Sequence, residues 1–292
     1  MAGIETIALD RWAGPFPPAQ QSRALAALDQ GDVLFFPNLA CALDEPMRGL
    51  LSPAFGDGTA KNVSLDPASG TLRGTRATGA ERARLAAMMA AFAATATGFV
   101  ADLLPGYAAA LERARTSYRP AEIAGRVYSP LKDDTRLHVD AFPSTPTRGR
   151  RILRLFSNVN PRGMPRLWQI GEPFAEFAAR FRPALGRPLP AVSWLFAAVG
   201  VTRGRRSAYD QLMLRLHDGA KRDLAYQQSA PRTDVAFPAG SSWLCYTDQV
   251  LHAALAGQFA LEQTFYLDVA AMADPALSPL RQLERLTGRK LS

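Results

Sequence analysis

Hydrophobic patterning divides the chain into a helix-rich first part and a strand-rich second part. A short apolar run over residues 31–37, closed by Pro-Asn, predicts a buried strand. The apolar, alanine-rich stretch 80–104 predicts a long helix, and the pattern over 107–115 predicts a second one. Residues 53–80 hold many Gly, Ser, Thr, Asp and Asn and predict a loop. Alanine contributes little transfer energy, so we interpret the long helix as a buried support for a sheet rather than a membrane span.

The second part shows the alternation and the short apolar runs that are typical of strands. Strands are predicted over 137–142, 151–159, 242–247 and 263–269. The intervening residues, about 160–235, mix loops with helical patterns and are interpreted as an insert. These elements predict an α+β fold. With no linker that clearly splits the chain, we expect one domain over residues 1–292, with a helical support region at about 80–115.

A possible metal site lies in the first of these strands. His138 and Asp140 are two residues apart, and side chains alternate along a strand, so both are expected to point to the same side. The chain has only three histidines, and His252 precedes a strand-like run far downstream. Two imidazoles and one carboxylate with open positions suit non-heme Fe(II). For His217, on a predicted helix without a partner ligand, we expect a structural role.

Charge and cysteine content narrow the environment. The formal net charge is +8 and the isoelectric point about 9.9, which favours anionic partners: nucleic acid, acidic lipid surfaces or phosphorylated sugars. Two cysteines, Cys41 and Cys245, are too few for a disulfide framework, so a reducing compartment is expected. The first residues show no basic-then-apolar signal pattern.

Longer blocks around these residues resemble one family. The blocks are 136–144 (RLHVDAFPS), 151–161 (RILRLFSNVNP), 168–174 (WQIGEPF), 251–254 (LHAA) and 262–267 (EQTFYL). Together they are similar to the Kdo hydroxylases, over about residues 32–269, and the order of elements is that of a double-stranded β-helix (jelly-roll, cupin-like) oxygenase.

This resemblance implies an Fe(II)-, O2- and 2-oxoglutarate-dependent dioxygenase. The family hydroxylates the 3-deoxy carbon of 3-deoxy-D-manno-oct-2-ulosonic acid (Kdo) in Kdo–lipid A, a precursor of the lipopolysaccharide inner core. It implies that His138, Asp140 and His252 are the catalytic metal ligands. It also implies a cytoplasmic protein, peripheral to the inner membrane, with an anionic glycolipid and not nucleic acid as its partner. The basic charge agrees with such a surface. The oligomeric state stays open.

The far carboxylate of 2-oxoglutarate requires a buried cation or strong donors, because an unpaired buried charge is costly. Many oxygenases of this type place a basic residue some ten positions after the distal histidine, but residues 253–273 contain none. Arg154, in phase with Ile152 and Phe156 on the next strand, is therefore our first choice. Gln263 and Thr264 are candidates for neutral donors beside it.

The substrate carries its own carboxylate and phosphates. Arg119 and Arg166 are the main candidates to bind them, and Lys61, Asn62 and Arg162 are the weaker ones.

Three other functions remain compatible with the residues alone. The first is an oxygenase of the same architecture acting on another anionic substrate, such as nucleic acid or a small metabolite. The second is a non-enzymatic basic binding protein in which the His-x-Asp pattern is accidental. A hydrolase that uses Zn(II) at the same ligands is the third, and it would work without oxygen.

Overall fold

The computed structural model describes residues 3–186 and 205–291, which form helices around two β-sheets. The helices are α1 (Pro18–Gln30), α2 (Glu45–Arg48), α3 (Gly79–Leu103), α4 (Phe174–Arg180), α5 (Arg182–Leu185), α6 (Ala208–Arg222), α7 (Leu224–Ser229) and α8 (Pro279–Thr287). The strands are β1 (Ile4–Thr6), β2 (Val33–Phe36), β3 (Val63–Leu65), β4 (Leu72–Arg73), β5 (Leu111–Arg119), β6 (Arg151–Asn158), β7 (Arg166–Gly171), β8 (Arg232–Phe237), β9 (Ser242–Tyr246), β10 (His252–Ala256) and β11 (Ala260–Leu267).

The main sheet has the strand order β1-β2-β9-β6-β11-β5-β3-β4, antiparallel except for the β1–β2 pair. Its centre is β11, which is hydrogen-bonded to β6 on one side and to β5 on the other. The run predicted over 263–269 is therefore a central strand, and it begins at Ala260. Central pairing places Thr264, in the middle of β11, beside Arg154 of β6, and Ala260, at its start, beside Arg119 of β5.

A smaller sheet, ordered β10-β7-β8, packs face to face with part of the main sheet. The core between them contains stacked and edge-on aromatic rings, among them Phe156 and Trp243 from the main sheet and Trp168 and Phe237 from the smaller one. Aromatic pairs in these geometries add about 0.5–1.5 kcal/mol each beyond burial. The paired sheets confirm the predicted α+β, jelly-roll architecture.

The long helix α3 lies against the other face of the main sheet, where it contacts β3, β5 and β11. Among the described helices it is the one long and apolar enough to cross a membrane by length and composition, and 44% of its most apolar window is buried within the protein. Its buried residues, which include Leu85, Phe92 and Phe99, join the main hydrophobic core. These contacts agree with the predicted buried helix.

A test of this packing uses Phe99, whose ring makes edge contacts with Trp12, Phe16 and Phe36 at centroid distances of 5.3, 5.6 and 5.2 Å. We expect Phe99→Ala to lower the free energy of unfolding by about 3–5 kcal/mol, because it removes a fully buried aromatic ring and leaves a cavity. The control is Thr95→Ala on the exposed side of α3, expected to change it by less than about 0.5 kcal/mol. Equal effects in urea denaturation would contradict a core role for this face.

The structure corrects the predicted second helix, the end of the helical support region and the predicted insert. The second helix, over 107–115, is absent: the chain turns after Leu104 and enters strand β5 at Leu111, so the helical support region ends earlier. Glu and Arg residues on β5 favoured a helix locally, but pairing with β3 and β11 overrides that propensity. The insert at 160–235 contains β7 and the start of β8, which are integral to the smaller sheet, and its residues 187–204 lie outside the described part.

Candidate metal centre

The segment 137–142, predicted as a strand, forms only an isolated bridge beside β10. His138 and His252 exchange two backbone hydrogen bonds, with N–O distances of 3.0 and 2.9 Å. The backbone N–H of Asp140 donates to the carbonyl of Thr247 at 2.8 Å. These bonds hold the two distant parts of the chain side by side, so the register of the bridge brings the histidines together.

Both histidine rings are oriented by backbone carbonyls. Nδ1 of His138 lies 2.7 Å from the carbonyl oxygen of Arg136, and Nδ1 of His252 lies 2.9 Å from that of Val250. A carbonyl oxygen only accepts, so Nδ1 carries the proton in each ring and Nε2 keeps its lone pair. The ring of Trp168 stacks on His252 at a centroid distance of 5.1 Å, which further fixes that ring.

The side chains of His138, Asp140 and His252 converge. One ligand atom from each lies within 4.8 Å of the other two. Burial, and then the neighbouring His252, lower the pKa of His138 well below its usual value, so the ring is neutral. Burial opposes ionisation of Asp140. The positive charge of Arg154, together with the two neighbouring imidazoles and a hydrogen bond from Thr247, outweighs burial and holds the pKa of that carboxyl below its usual value.

These donors fit a divalent cation. Two neutral imidazoles offer Nε2 lone pairs, and Oδ2 of Asp140 is buried and makes no hydrogen bond of good geometry, although the charge of Arg154 is close to it. Two nitrogen ligands and one carboxylate leave further coordination positions open, as in non-heme Fe(II) oxygenases. The three residues would hold Fe(II) with those positions free for small ligands.

Three arginines surround the triad in a small cavity of about 50 Å³, lined also by Trp168 and Asp134. Nη1 of Arg154 lies 3.0 Å from Oδ2 of Asp140 and 3.4 Å from Oε1 of Glu262. Arg119 donates to Oε2 of Glu262 through Nε and Nη2, at 3.0 and 2.6 Å. Two of the three positive charges are therefore matched by buried carboxylates.

The third, Arg166, lacks such a partner among the described residues. Its Nε is buried without an acceptor, and Nη1 makes one long contact of 3.4 Å with the carbonyl of Gly257. Burial, and then the charge of Arg119, lower its pKa to about 9. A buried guanidinium in this state is expected to bind an anion.

Almost the whole chain matches a known protein family. The family described as 3-deoxy-D-manno-oct-2-ulosonic acid (Kdo) hydroxylase matches residues 11–290. The chain belongs to the Kdo hydroxylase family. The resemblance inferred from the sequence blocks is thereby confirmed.

Solved structures of one Kdo hydroxylase, KdoO, agree with the family. KdoO is described as a non-heme Fe(II) alphaketoglutarate-dependent dioxygenase. Its complex with alphaketoglutarate and Fe(III) is 45% identical, with a TM-score of 0.95 over 99% of this chain and 97% of that one. The complex with cobalt(II) is 46% identical, with a TM-score of 0.96 over the same shares. No match was found among the curated proteins.

The two residues predicted as neutral donors to 2-oxoglutarate, Thr264 and Gln263, point to different sides of β11. Thr264 is buried and lies beside Glu262, with its hydroxyl 3.4 Å from Oε1. Gln263 lies between Glu262 and Thr264, so its side chain points to the opposite face of the strand. There it is hydrogen-bonded to Thr116 and to the carbonyl of Ala114, and it does not line the metal cavity. The cosubstrate roles of both residues stay predictions.

The weaker substrate candidates lie farther out. Lys61 forms an ion pair with Asp134 at 2.6 Å, and Asn62 donates to Ser117 at 2.7 Å. Arg162 is bonded to the side chain of Gln258 and is not among the residues that line the metal cavity. Their substrate roles stay predictions.

Sequence reasoning missed Glu262, the carboxylate that pairs with both Arg119 and Arg154. Glu262 lies one residue before Gln263, on a predicted strand, and the partner of each arginine depends on the order of strands in the sheet. Alternation along β11 was a usable signal, since it places Glu262 and Thr264 on one face.

His217 is not one of the described residues that form the possible metal cluster. Its ring stands edge-on to His138 at a centroid distance of 5.5 Å, and its Nδ1 lies 2.9 Å from the Asp218 carboxylate. These contacts agree with the structural role expected for it.

One prediction concerns Arg154 as a partner of the metal ligand. We expect Arg154→Gln to weaken Fe(II) or Co(II) binding by about 10–100-fold, because residues that orient a ligating carboxylate typically have effects of this size. Calorimetric titration with Co(II) measures it. Arg162→Gln, outside the cavity, is the matched control. An unchanged affinity for Co(II) would show that Arg154 is not required to orient the Asp140 carboxylate for metal binding.

Proposed function

We propose that this protein is an Fe(II)- and 2-oxoglutarate-dependent dioxygenase that hydroxylates the 3-deoxy carbon of Kdo in Kdo–lipid A. The observation that carries this proposal is the convergence of His138, Asp140 and His252 within a family match that spans residues 11–290. KdoO, which is 45% identical over 99% of this chain, is described as acting through Fe(II) and alphaketoglutarate.

The proposal includes a binding site for 2-oxoglutarate in the arginine-lined cavity. Arg166 is the best candidate for its far carboxylate, because Arg154 and Arg119 are already paired with Asp140 and Glu262. This assignment replaces the first choice made from sequence, Arg154, and moves Arg166 from substrate to cosubstrate binding. Bidentate guanidinium–carboxylate pairs are among the strongest charge-assisted contacts.

The residues of this chain have definable roles in the reaction. The metal, when bound, supplies activation of O2 coupled to oxidative decarboxylation of 2-oxoglutarate, which is chemistry that side chains alone lack. His138 and His252 present unprotonated Nε2 atoms because their Nδ1–H groups bond carbonyls. Trp168 and Phe156 line the same cavity and exclude water from it, which protects reactive species from side reactions.

The substrate and location are also parts of the proposal. A net charge of +8 supports an anionic glycolipid at an acidic membrane surface. Both cysteines are free, which supports a reducing compartment such as the cytoplasm. The protein would then meet its substrate at the cytoplasmic face of the inner membrane. We propose a peripheral association with that surface.

The test is an assay of purified protein with Fe(II), 2-oxoglutarate, O2 and Kdo–lipid A, followed by mass spectrometry of the released sugar. We expect one added oxygen on Kdo and a matching amount of succinate. Oligonucleotides and small sugar acids, assayed in parallel, should give no coupled turnover. Oxidation of an oligonucleotide instead, or hydrolysis with Zn(II) in the absence of O2, would overturn the proposal.

A further inference from the structure

A surface groove of about 400 Å³ lies outside the metal cavity, between residues 53–62 and residues 120–128. Its charged lining residues are Lys61, Arg76 and Arg126, and none of its lining residues is acidic. Asn62 and Tyr128 add further polar groups. A concave surface with three cations and no lining carboxylate is suited to an anionic ligand.

Two of the three cations of the groove, Arg76 and Arg126, can bind a further anion, whereas Lys61 is already paired with Asp134 at 2.6 Å. Arg76 donates through Nε and Nη2 to the backbone carbonyl of Asp57, at 3.1 and 2.9 Å, and Nη1 of Arg126 contacts the hydroxyl of Tyr128 at 3.3 Å. Neither forms an ion pair with a carboxylate among the described residues at salt-bridge distance. Two acids are adjacent in sequence to lining residues, and both accept from backbone N–H groups: Asp57 from Thr59 and Ala60, and Glu122 from Ile123 and Gly257.

The groove lies close to the metal cavity. It shares Lys61, Arg126 and Tyr128 with a narrow passage of about 20 Å³. That passage shares Arg119, Asp134 and Arg166 with the cavity around the triad. The intermediate pocket has room for little more than a water molecule, so the shared residues establish that the groove adjoins the surroundings of the metal cavity.

We propose that this groove is an outer anion subsite, in which Arg76 and Arg126, with Lys61, bind a carboxylate or phosphate of the substrate beside the residue that is hydroxylated. This inference rests on the proposed function for the identity of the substrate. The subsite determines specificity: it selects a substrate with a second acidic group at a distance from the reacting carbon. A single sugar acid, which lacks that group, binds more weakly.

The experiment is calorimetric binding of deacylated Kdo–lipid A to the anaerobic holoenzyme with Fe(II) and 2-oxoglutarate, where no turnover occurs. We expect the double variant R76Q/R126Q to bind about tenfold more weakly than the unchanged protein, with the Kd for 2-oxoglutarate, titrated under the same anaerobic conditions, unaffected. Raising the salt concentration should weaken the unchanged protein more than the double variant, because these side chains are partly exposed and their charges are screened. Arg84→Gln, an exposed arginine of α3 outside the groove, is the matched control.

Each outcome decides a separate point. Equal affinity of the double variant and the unchanged protein overturns the subsite, and so does absence of binding to the unchanged protein. If the unchanged protein binds the probe, the double variant binds it more weakly and neither oxidises it in air, the subsite stands and the proposed hydroxylase activity fails. Thermal denaturation of each variant confirms that the fold is kept.

Discussion

His252→Ala abolishes hydroxylation, with an expected loss of at least about 1,000-fold in kcat/KM, equivalent to about 4 kcal/mol of transition-state stabilisation. The variant keeps the ligands His138 and Asp140 but loses the third ligand, so the metal is bound by two side chains instead of three. The backbone bridge between residues 138 and 252 does not depend on the ring, so the fold should persist. The measurements are succinate formation and calorimetric binding of Co(II).

The matched control is His217→Ala. Its ring also touches His138, yet it is outside the cluster, so metal binding should be kept and activity should fall by less than about tenfold. Metal affinity that is unchanged in His252→Ala, or lost equally in both variants, would contradict the assignment of the triad.

Arg166→Gln is expected to raise the KM for 2-oxoglutarate by about 10–100-fold, because hydrogen bonds to charged groups contribute about 1.5–3 kcal/mol. Metal binding should be unaffected, since Arg166 makes no contact with the triad that resembles the Arg154–Asp140 ion pair. Steady-state kinetics with varied 2-oxoglutarate, at saturating Fe(II) and substrate, measures the effect.

Arg162→Gln is the control for this variant, because Arg162 lies four residues earlier and contacts Gln258 and Phe259 instead of the cavity. A KM that stays constant in Arg166→Gln but rises in Arg154→Gln would return the cosubstrate role to Arg154. A KM that stays constant in both variants would leave Arg119 as the remaining cation of the cavity.

The metal triad could be predicted from sequence because its signal is local and chemical. His138 and Asp140 are separated by one residue, and with three histidines in the chain few partners were available. The expected strand was nevertheless wrong: the two side chains are held by an isolated bridge to β10 and a bond to Thr247. The spacing was sufficient because an extended backbone, paired in a strand or not, alternates its side chains.

The arginines could not be assigned in the same way. Arg119, Arg154 and Arg166 were each identified as anion binders from composition and position. Which of them is spare depends on Glu262, and Glu262 reaches Arg119 and Arg154 only because β11 lies between β5 and β6 in the sheet. Strand order is set by the packing of the whole sheet and is not encoded in any local pattern.

The sequence by itself determined the ligand types and the long buried helix, because these follow from residue identity and short-range periodicity. The family followed from the resemblance of the longer sequence blocks. Tertiary structure alone decided that residues 111–115 are strand rather than helix, and which guanidinium is left without a carboxylate. It also decided that the groove at Arg76 and Arg126 adjoins the pocket that borders the metal cavity. The physical reason is the same in each case: sheet pairing and charge neutralisation join residues far apart in the chain, and their energies outweigh local propensity.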